Sequence, residues 1–220
     1  MILGDTIERN ALLYKNDLAV EFEGRRYTHG QFRDRVRRLA NALCKLGVKR
    51  QDRIAVLSEN CSEYLEVYGA GELAGFITVS ANYRLAPPEI AYLMGDCTPT
   101  VLVFGAKFAD MVGKLRNQIP SVKHFVSIGG GADFAQDYEG LLAASTDAVP
   151  PLRAQEADTA FLIYTSGTTG RPKGVMIGQQ QQVLSAWNMA LEGNVDPTEK
   201  ILITTPLYHA GAKWVQLAHH

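Results

Sequence analysis

"YTSGTTGRPKG" occupies residues 164–174, with the apolar run "AFLIY" (160–164) leading into it and "GVMI" (174–177) leading out. The two runs have strand length and composition. The eleven residues 164–174 hold three glycines, four Ser or Thr hydroxyls and two cations. Gly167 and Gly170 give the backbone access to positive φ and let its N–H groups approach a ligand closely. Successive amides in such a bend form a concavity that suits an anion. Thr165, Ser166, Thr168 and Thr169 add hydroxyl donors, and Lys173 adds a flexible point charge. A pyrophosphate or triphosphate needs several donors and charge neutralisation together, and this stretch supplies both. A plain hairpin connection has the same composition, so residues 164–174 alone leave both readings open. The common nucleotidase loop, G-x-x-x-x-G-K-[ST] before a helix, is excluded. Five positions after Gly167 stands Pro172, and a strand rather than a helix follows.

The chain upstream alternates short apolar runs with helix-period segments. "DRIAVLS" (52–58), "FITVS" (76–80), "TVLVFG" (100–105) and "HFVSIG" (124–129) read as strands. Helices are expected over 61–75, from Pro87 and Pro88 to about Met94, and over 107–118. A further helix is expected over 179–191, with a last strand, "ILITT", at 201–205. Thr28 and Gln31 have capping-box spacing. After them Phe32, Val36, Leu39, Leu43 and Leu46 recur every three or four residues, and Gly47 sits where a helix C-terminal cap belongs. Arg33, Arg35, Arg37 and Arg38 on this helix read as its solvated face. Strands alternating with helices predict a parallel sheet with crossover helices on its faces. Residues 129–159 are rich in Gly, Ala, Pro and acids and read as a long surface connection. A boundary is expected there, with an N-terminal α/β subdomain at 1–150 and the start of a second at 151–220.

Composition narrows the function. The 220 residues are 46% hydrophobic and 20% charged, ordinary for a soluble globular chain. Twenty-two basic and twenty-three acidic residues give a net charge of −1. A basic surface of the kind that binds nucleic acid is therefore not indicated. Cys44, Cys61 and Cys97 form no CxxC pair and read as plain thiols, without a disulfide framework or zinc site. The start, "MILGDTIERN", lacks the regions of a signal peptide, and no apolar run is long enough to span a bilayer. A cytoplasmic location is the expectation.

"YTSGTTGRPKGV" resembles the signature loop of the AMP-forming, adenylate-forming enzymes: acyl-CoA synthetases, luciferases and peptide-synthetase adenylation domains. "YTHGQFRDRVRRLANALCKLGVKRQDRIAVLSEN" (27–60), "ELAGFITVSANYRLAPPEIAYLMGDC" (72–97) and "PLYHAGA" (206–212) resemble further blocks of that family, in the same order. The resemblance implies an α/β fold of layered sheets with flanking helices, the N-terminal part of the family's large domain. It implies that Thr165, Ser166, Gly167, Thr168, Thr169, Gly170 and Lys173 hold the ATP phosphates. It places His209 beside the substrate carboxylate, with Tyr208 shaping the pocket. Asn82 and Arg84 are expected in a structural turn and ion pair.

The implied chemistry joins a fatty or aromatic carboxylic acid to AMP and then passes the acyl group to a thiol. ATP, Mg2+ and coenzyme A are the implied cofactors and co-substrates. A peptide-synthetase adenylation domain and a non-catalytic module of the same fold stand as alternatives. The family's adenine site, hinge and lid lysine would lie past residue 220, so the 220-residue piece alone is expected to form no thioester. Apolar surface left uncovered is expected to favour a homo-oligomer. Three departures stand out. "GQQQQ" (178–182) replaces a Ser/Thr-His start and its N-cap, Ser80 replaces a frequent Pro, and Trp214 is expected to shorten the acyl pocket.

Overall fold

The computed structural model describes residues 1–165, 172–196 and 199–218, the last stretch without the side chains at 214, 215, 217 and 218. Ser166, Gly167, Thr168, Thr169 and Gly170 and the Trp214 side chain lie outside the described residues.

In chain order the elements are α1 (Gly4–Leu13), β1 (Leu18–Phe22), β2 (Arg25–Thr28), α2 (His29–Lys45), β3 (Arg53–Leu57), α3 (Ser62–Ala74) and β4 (Ile77–Ser80). Then come α4 (Pro87–Cys97), β5 (Val101–Gly105), α5 (Ala109–Leu115, with a 3₁₀ turn at each end), β6 (His124–Ile128) and β7 (Gln136–Asp137). The chain continues through α6 (Tyr138–Ala143), β8 (Thr159–Thr165), β9 (Lys173–Gly178), α7 (Gln179–Glu192) and α8 (Ala210–Ala218).

β1 and β2 form a separate antiparallel hairpin. The other strands form one sheet in the order β7-β6-β5-β3-β4-β8-β9. Every pairing in it is parallel except that of β8 with β9. The sheet thus runs across the boundary expected near residue 150, because β8 pairs with β4.

The side-chain period of two sorts the core into two layers. Ile54, Val56, Val101 and Val103 point to one face, where they pack with Leu39 and Leu43 of α2 and Tyr64, Val67 and Tyr68 of α3. Ala55, Leu57, Leu102 and Phe104 point to the other, against Ile90, Leu93 and Met94 of α4 and Val112 and Leu115 of α5. Being covered on both faces, β3 and β5 read as continuous apolar runs.

α2 starts as the spacing predicts. The Thr28 N–H donates to Gln31 Oε1 at 2.9 Å, and the Gln31 N–H donates to Thr28 Oγ1 at 3.3 Å. Gly47, just past its end, takes φ +84°, a conformation that costs a side-chain-bearing residue dearly.

The arginines of α2 correct the sequence reading, because they do not form a free solvated face. The Arg35 Nε donates to Glu66 Oε1 at 2.6 Å, and its Nη2 donates to Glu139 Oε1 at 2.6 Å. Arg37 pairs with Glu8, and Arg38 donates to the Ser145 carbonyl at 2.6 Å. Asn41 donates to the carbonyls of Thr146 and Ala148. The reason lies in a remote segment, 107 positions from Arg38. Residues 144–148 carry backbone carbonyls with no ladder partner, and such groups need donors. The connection at 129–159 is correspondingly more ordered than its composition suggests, holding β7 and α6.

"ILITT" (201–205) is not a strand. Its apolar alternation suits a ladder, but it pairs with no neighbouring backbone among the described residues, and Leu202 is 82% exposed. A strand needs a partner as well as a pattern.

Glu66 is fully buried, held by Arg35 and by the Tyr138 hydroxyl at 2.8 Å. Arg35→Ala is therefore expected to cost about 3–5 kcal/mol, the penalty for stranding a buried charge. Adding Glu66→Gln should recover part of the loss. Urea unfolding of the three proteins measures both effects.

Candidate functional site

β8 and β9 are in register with Thr165 opposite Lys173 and Tyr164 opposite Gly174. Thr165 and Lys173 are both exposed. The two ends of the 166–172 connection are thus pinned as Cα partners, and the connection leaves from the C-terminal end of β8. That is the C-terminal end of the whole parallel set, where crevices of open α/β sheets take their ligands.

The base of the hairpin is fixed from below. The Tyr164 hydroxyl donates to Asp96 of α4. Burial and the Asp96 carboxylate both push the Tyr164 phenol well above its ordinary pKa, so it stays protonated. Gly174 admits this arrangement. A Cβ there would lie 3.0 Å from Leu162 Cδ1 and 3.3 Å from Tyr164 Cζ.

Three other segments gather at the same end. After β3, Asn60 reaches the "PLYH" stretch, donating to the Thr205 carbonyl at 3.0 Å and accepting from the Leu207 N–H at 2.8 Å. After β4, Asn82 Oδ1 accepts from the Arg84 N–H at 2.9 Å, which makes the expected structural turn. The Arg84 guanidinium lies 5.8 Å from the Tyr83 ring centroid, and the expected ion pair is not found among the described residues. Tyr83 in turn meets Tyr208 edge-on, with centroids 5.3 Å apart. Tyr208 is buried, and His209, whose ring lies 4.4 Å from that of Tyr208, is exposed. The His209 N–H donates to the Pro206 carbonyl at 3.0 Å, at the threshold of α8.

The structure therefore brings Thr165, Lys173 and His209 to one end of the sheet. It also shows groups that the sequence reading undervalued. Ser80 Oγ lies 2.7 Å from the Tyr68 hydroxyl, which donates to the Leu207 carbonyl at 2.7 Å. A Pro at 80 would remove that link. Gln179, at the start of α7, is buried, accepts from the Leu3 N–H and donates to the Glu72 carbonyl. No side chain caps α7 at Gly178, as expected from "GQQQQ". Burial pushes the Cys61 and Cys97 thiols up to about 12. Among the described residues no three His, Cys, Asp or Glu side chains converge on a metal position. Nor, among the described residues, is any helix long and apolar enough to cross a membrane.

The chain is similar to known proteins over most of its length. The family profile described as AMP-binding enzyme matches residues 7–219. The indoleacetate–CoA ligase of Aromatoleum aromaticum is 34% identical over 212 residues, which cover 96% of this chain and 41% of that protein. The long-chain-fatty-acid–CoA ligase of Thermus thermophilus is 34% identical over 219 residues, covering 96% and 40%. The solved anthranilate CoA ligase AuaEII, in complex with anthranoyl-AMP, superposes with a TM-score of 0.81 at 27% identity, over 85% of this chain and 36% of that one. The chain thus spans about two fifths of the length of the curated relatives it matches.

Tyr208 acts in this arrangement through its ring. Tyr208→Phe should leave stability within about 0.5 kcal/mol of wild type, and Tyr208→Ala should cost about 3 kcal/mol. Chemical denaturation of the two variants checks the contrast.

Proposed function

The chain belongs to the AMP-binding enzyme family, and from that premise we propose that it is the N-terminal portion of an AMP-forming acid–thiol ligase of the acyl-CoA synthetase type. Residues 1–150 serve as a supporting α/β subdomain, and 151–220, which add β8 and β9 to its sheet, begin a second one that carries the phosphate loop. The reaction takes place in the cytoplasm. A carboxylate oxygen of a fatty or aromatic acid attacks the α-phosphorus of ATP. The new O–P bond forms as the bond to pyrophosphate breaks, giving an acyl-adenylate. The thiol of coenzyme A then attacks the acyl carbon and AMP leaves.

Both partners in the first step are anions, so positioning and charge neutralisation carry the catalysis. The observation behind this reading is the Thr165–Lys173 register. It closes the hydroxyl- and glycine-rich loop at the end of the sheet where "PLYH" also arrives. In this reading the amides and hydroxyls of Thr165, Ser166, Gly167, Thr168, Thr169 and Gly170 receive the β- and γ-phosphates. Lys173 screens their charge, and His209 stands by the carboxylate. Mg2+ enters as the counter-ion of ATP, and no step is assigned to it.

Acid-dependent ATP–pyrophosphate exchange, run on the complete polypeptide with a panel of carboxylic acids, tests the proposal. Exchange driven by fatty or aryl acids is expected, and amino-acid-dependent exchange would point to a peptide-synthetase domain. ATP hydrolysis without an acid, or no nucleotide binding, would contradict the reading. Lys173→Met should lower exchange by about 10²-fold, the scale of losing one charge-stabilising group. The 220-residue chain alone is expected to form no thioester.

Homo-association of the 220-residue chain belongs to the same reading. Met176 on edge strand β9 is 74% exposed and Trp187 on α7 is 53% exposed, with Leu184, Leu191 and Leu202 also exposed. Patches of this kind drive association, and a net charge of −1 gives little repulsion between copies. Sedimentation velocity should show concentration-dependent association. A clean monomer at high concentration would contradict it.

A further inference from the structure

His209 lies in a stretch whose own structure does little to fix it. Residues 199–206 are irregular, and the imidazole is exposed. The segment on either side of His209 is nevertheless tied down twice, and both ties lead to the same element.

The first tie holds Leu207. Its N–H donates to Asn60 Oδ1 at 2.8 Å, and its carbonyl accepts from the Tyr68 hydroxyl at 2.7 Å. Asn60 also donates to the Thr205 carbonyl at 3.0 Å. One side-chain amide thus grips the backbone on both sides of Pro206, as a strand partner would. The second tie holds Lys213, four residues beyond His209 and fully buried. Its ammonium donates to Glu72 and, at 2.6 Å, to Gln216 Oε1. It also lies 4.1 Å from the Tyr68 ring centroid and 4.8 Å from that of Phe161.

Asn60 sits just before α3. Tyr68 and Glu72 lie on α3 at i and i+4, so they share one face. The helix is buried along nearly its whole length, from Ser62 to Ala74, which makes it a fixed reference for what hangs on it.

We propose that α3 is the positioning element for His209, with Asn60, Tyr68, Glu72 and Lys213 acting as positioning residues that clamp the chain on both sides of the imidazole. What His209 does to a substrate rests on the function proposed above; that α3 places it does not. A group that acts on a reacting carboxylate must be held to a fraction of an ångström by its support. Here the support comes from side chains far away in sequence.

The test uses the 220-residue chain without any ligand, so its outcome is separate from that of the exchange assay. His209 ring resonances and the amide exchange of residues 207–213 are followed by NMR in Asn60→Ala, Tyr68→Phe and the paired Glu72→Leu/Lys213→Met variant. Tyr138→Phe, which removes a buried hydroxyl of α6 that donates to Glu66 elsewhere on α3, is the control. Tyr68→Phe deletes one oxygen and keeps the ring, so it remains informative if a larger change prevents folding. The expected result is a shifted His209 ring signal and about tenfold faster exchange at Leu207 and His209 in the first two variants. Weaker protection from exchange through Lys213 is expected in the pair, with the control unmoved. Unchanged His209 signals in folded Asn60→Ala and Tyr68→Phe proteins would overturn the proposal. An equal response in Tyr138→Phe would also overturn it, since it would mean general loosening.

Discussion

The hydrogen-bonded ladder on the two sides of β8 is the constraint on which the rest depends. One side pairs parallel with β4, and the other pairs antiparallel with β9. The parallel side fixes which end of the sheet the loop leaves from. The antiparallel side brings Thr165 and Lys173 face to face. Register is strict because Ala160 and Phe161 are buried, and a slip of one residue would reverse both faces of the strand. A hydroxyl-rich loop with free ends would lose much of its grip to conformational entropy. Closing its ends in a ladder removes part of that cost before any ligand arrives.

Most of the sheet was legible in the sequence because parallel strands covered on both faces leave continuous apolar runs. β3, β5, β6 and β8 all announce themselves that way. The Thr28–Gln31 box and Gly47 mark α2 for equally local reasons. The failures share a cause, which is that the deciding partner is remote. "ILITT" has a strand pattern and lacks a neighbour. The arginines of α2 look solvated until Glu66, Glu139 and the carbonyls of 144–148 are brought to them by the fold. The β1–β2 hairpin and α1, absent from the sequence reading, pack against α2 and α3.

The same distinction divides the site. The residues proposed for its chemistry stand in short stretches: the loop before Lys173, and the His of "PLYH". Its scaffolding was not. Ser80 stood out only as a missing Pro, although its hydroxyl meets Tyr68, which in turn holds Leu207. Asn60 and Leu207 are 147 positions apart, and no local pattern links them. Nothing local to Lys213 marks it for burial, yet the structure buries it against Glu72 and two rings. Chemistry-bearing residues declare themselves by type and spacing. The groups that orient them are ordinary residues given their role by topology.

The central claim is that the bend between Thr165 and Lys173 receives the phosphates of a nucleotide. The most direct measurement is a crystal structure of the complete polypeptide soaked with ATP. The account predicts β- and γ-phosphate oxygens within hydrogen-bond reach of backbone amides and hydroxyls in 165–170, with the Lys173 ammonium beside them. Phosphates bound elsewhere, with this bend empty and facing solvent, would contradict it.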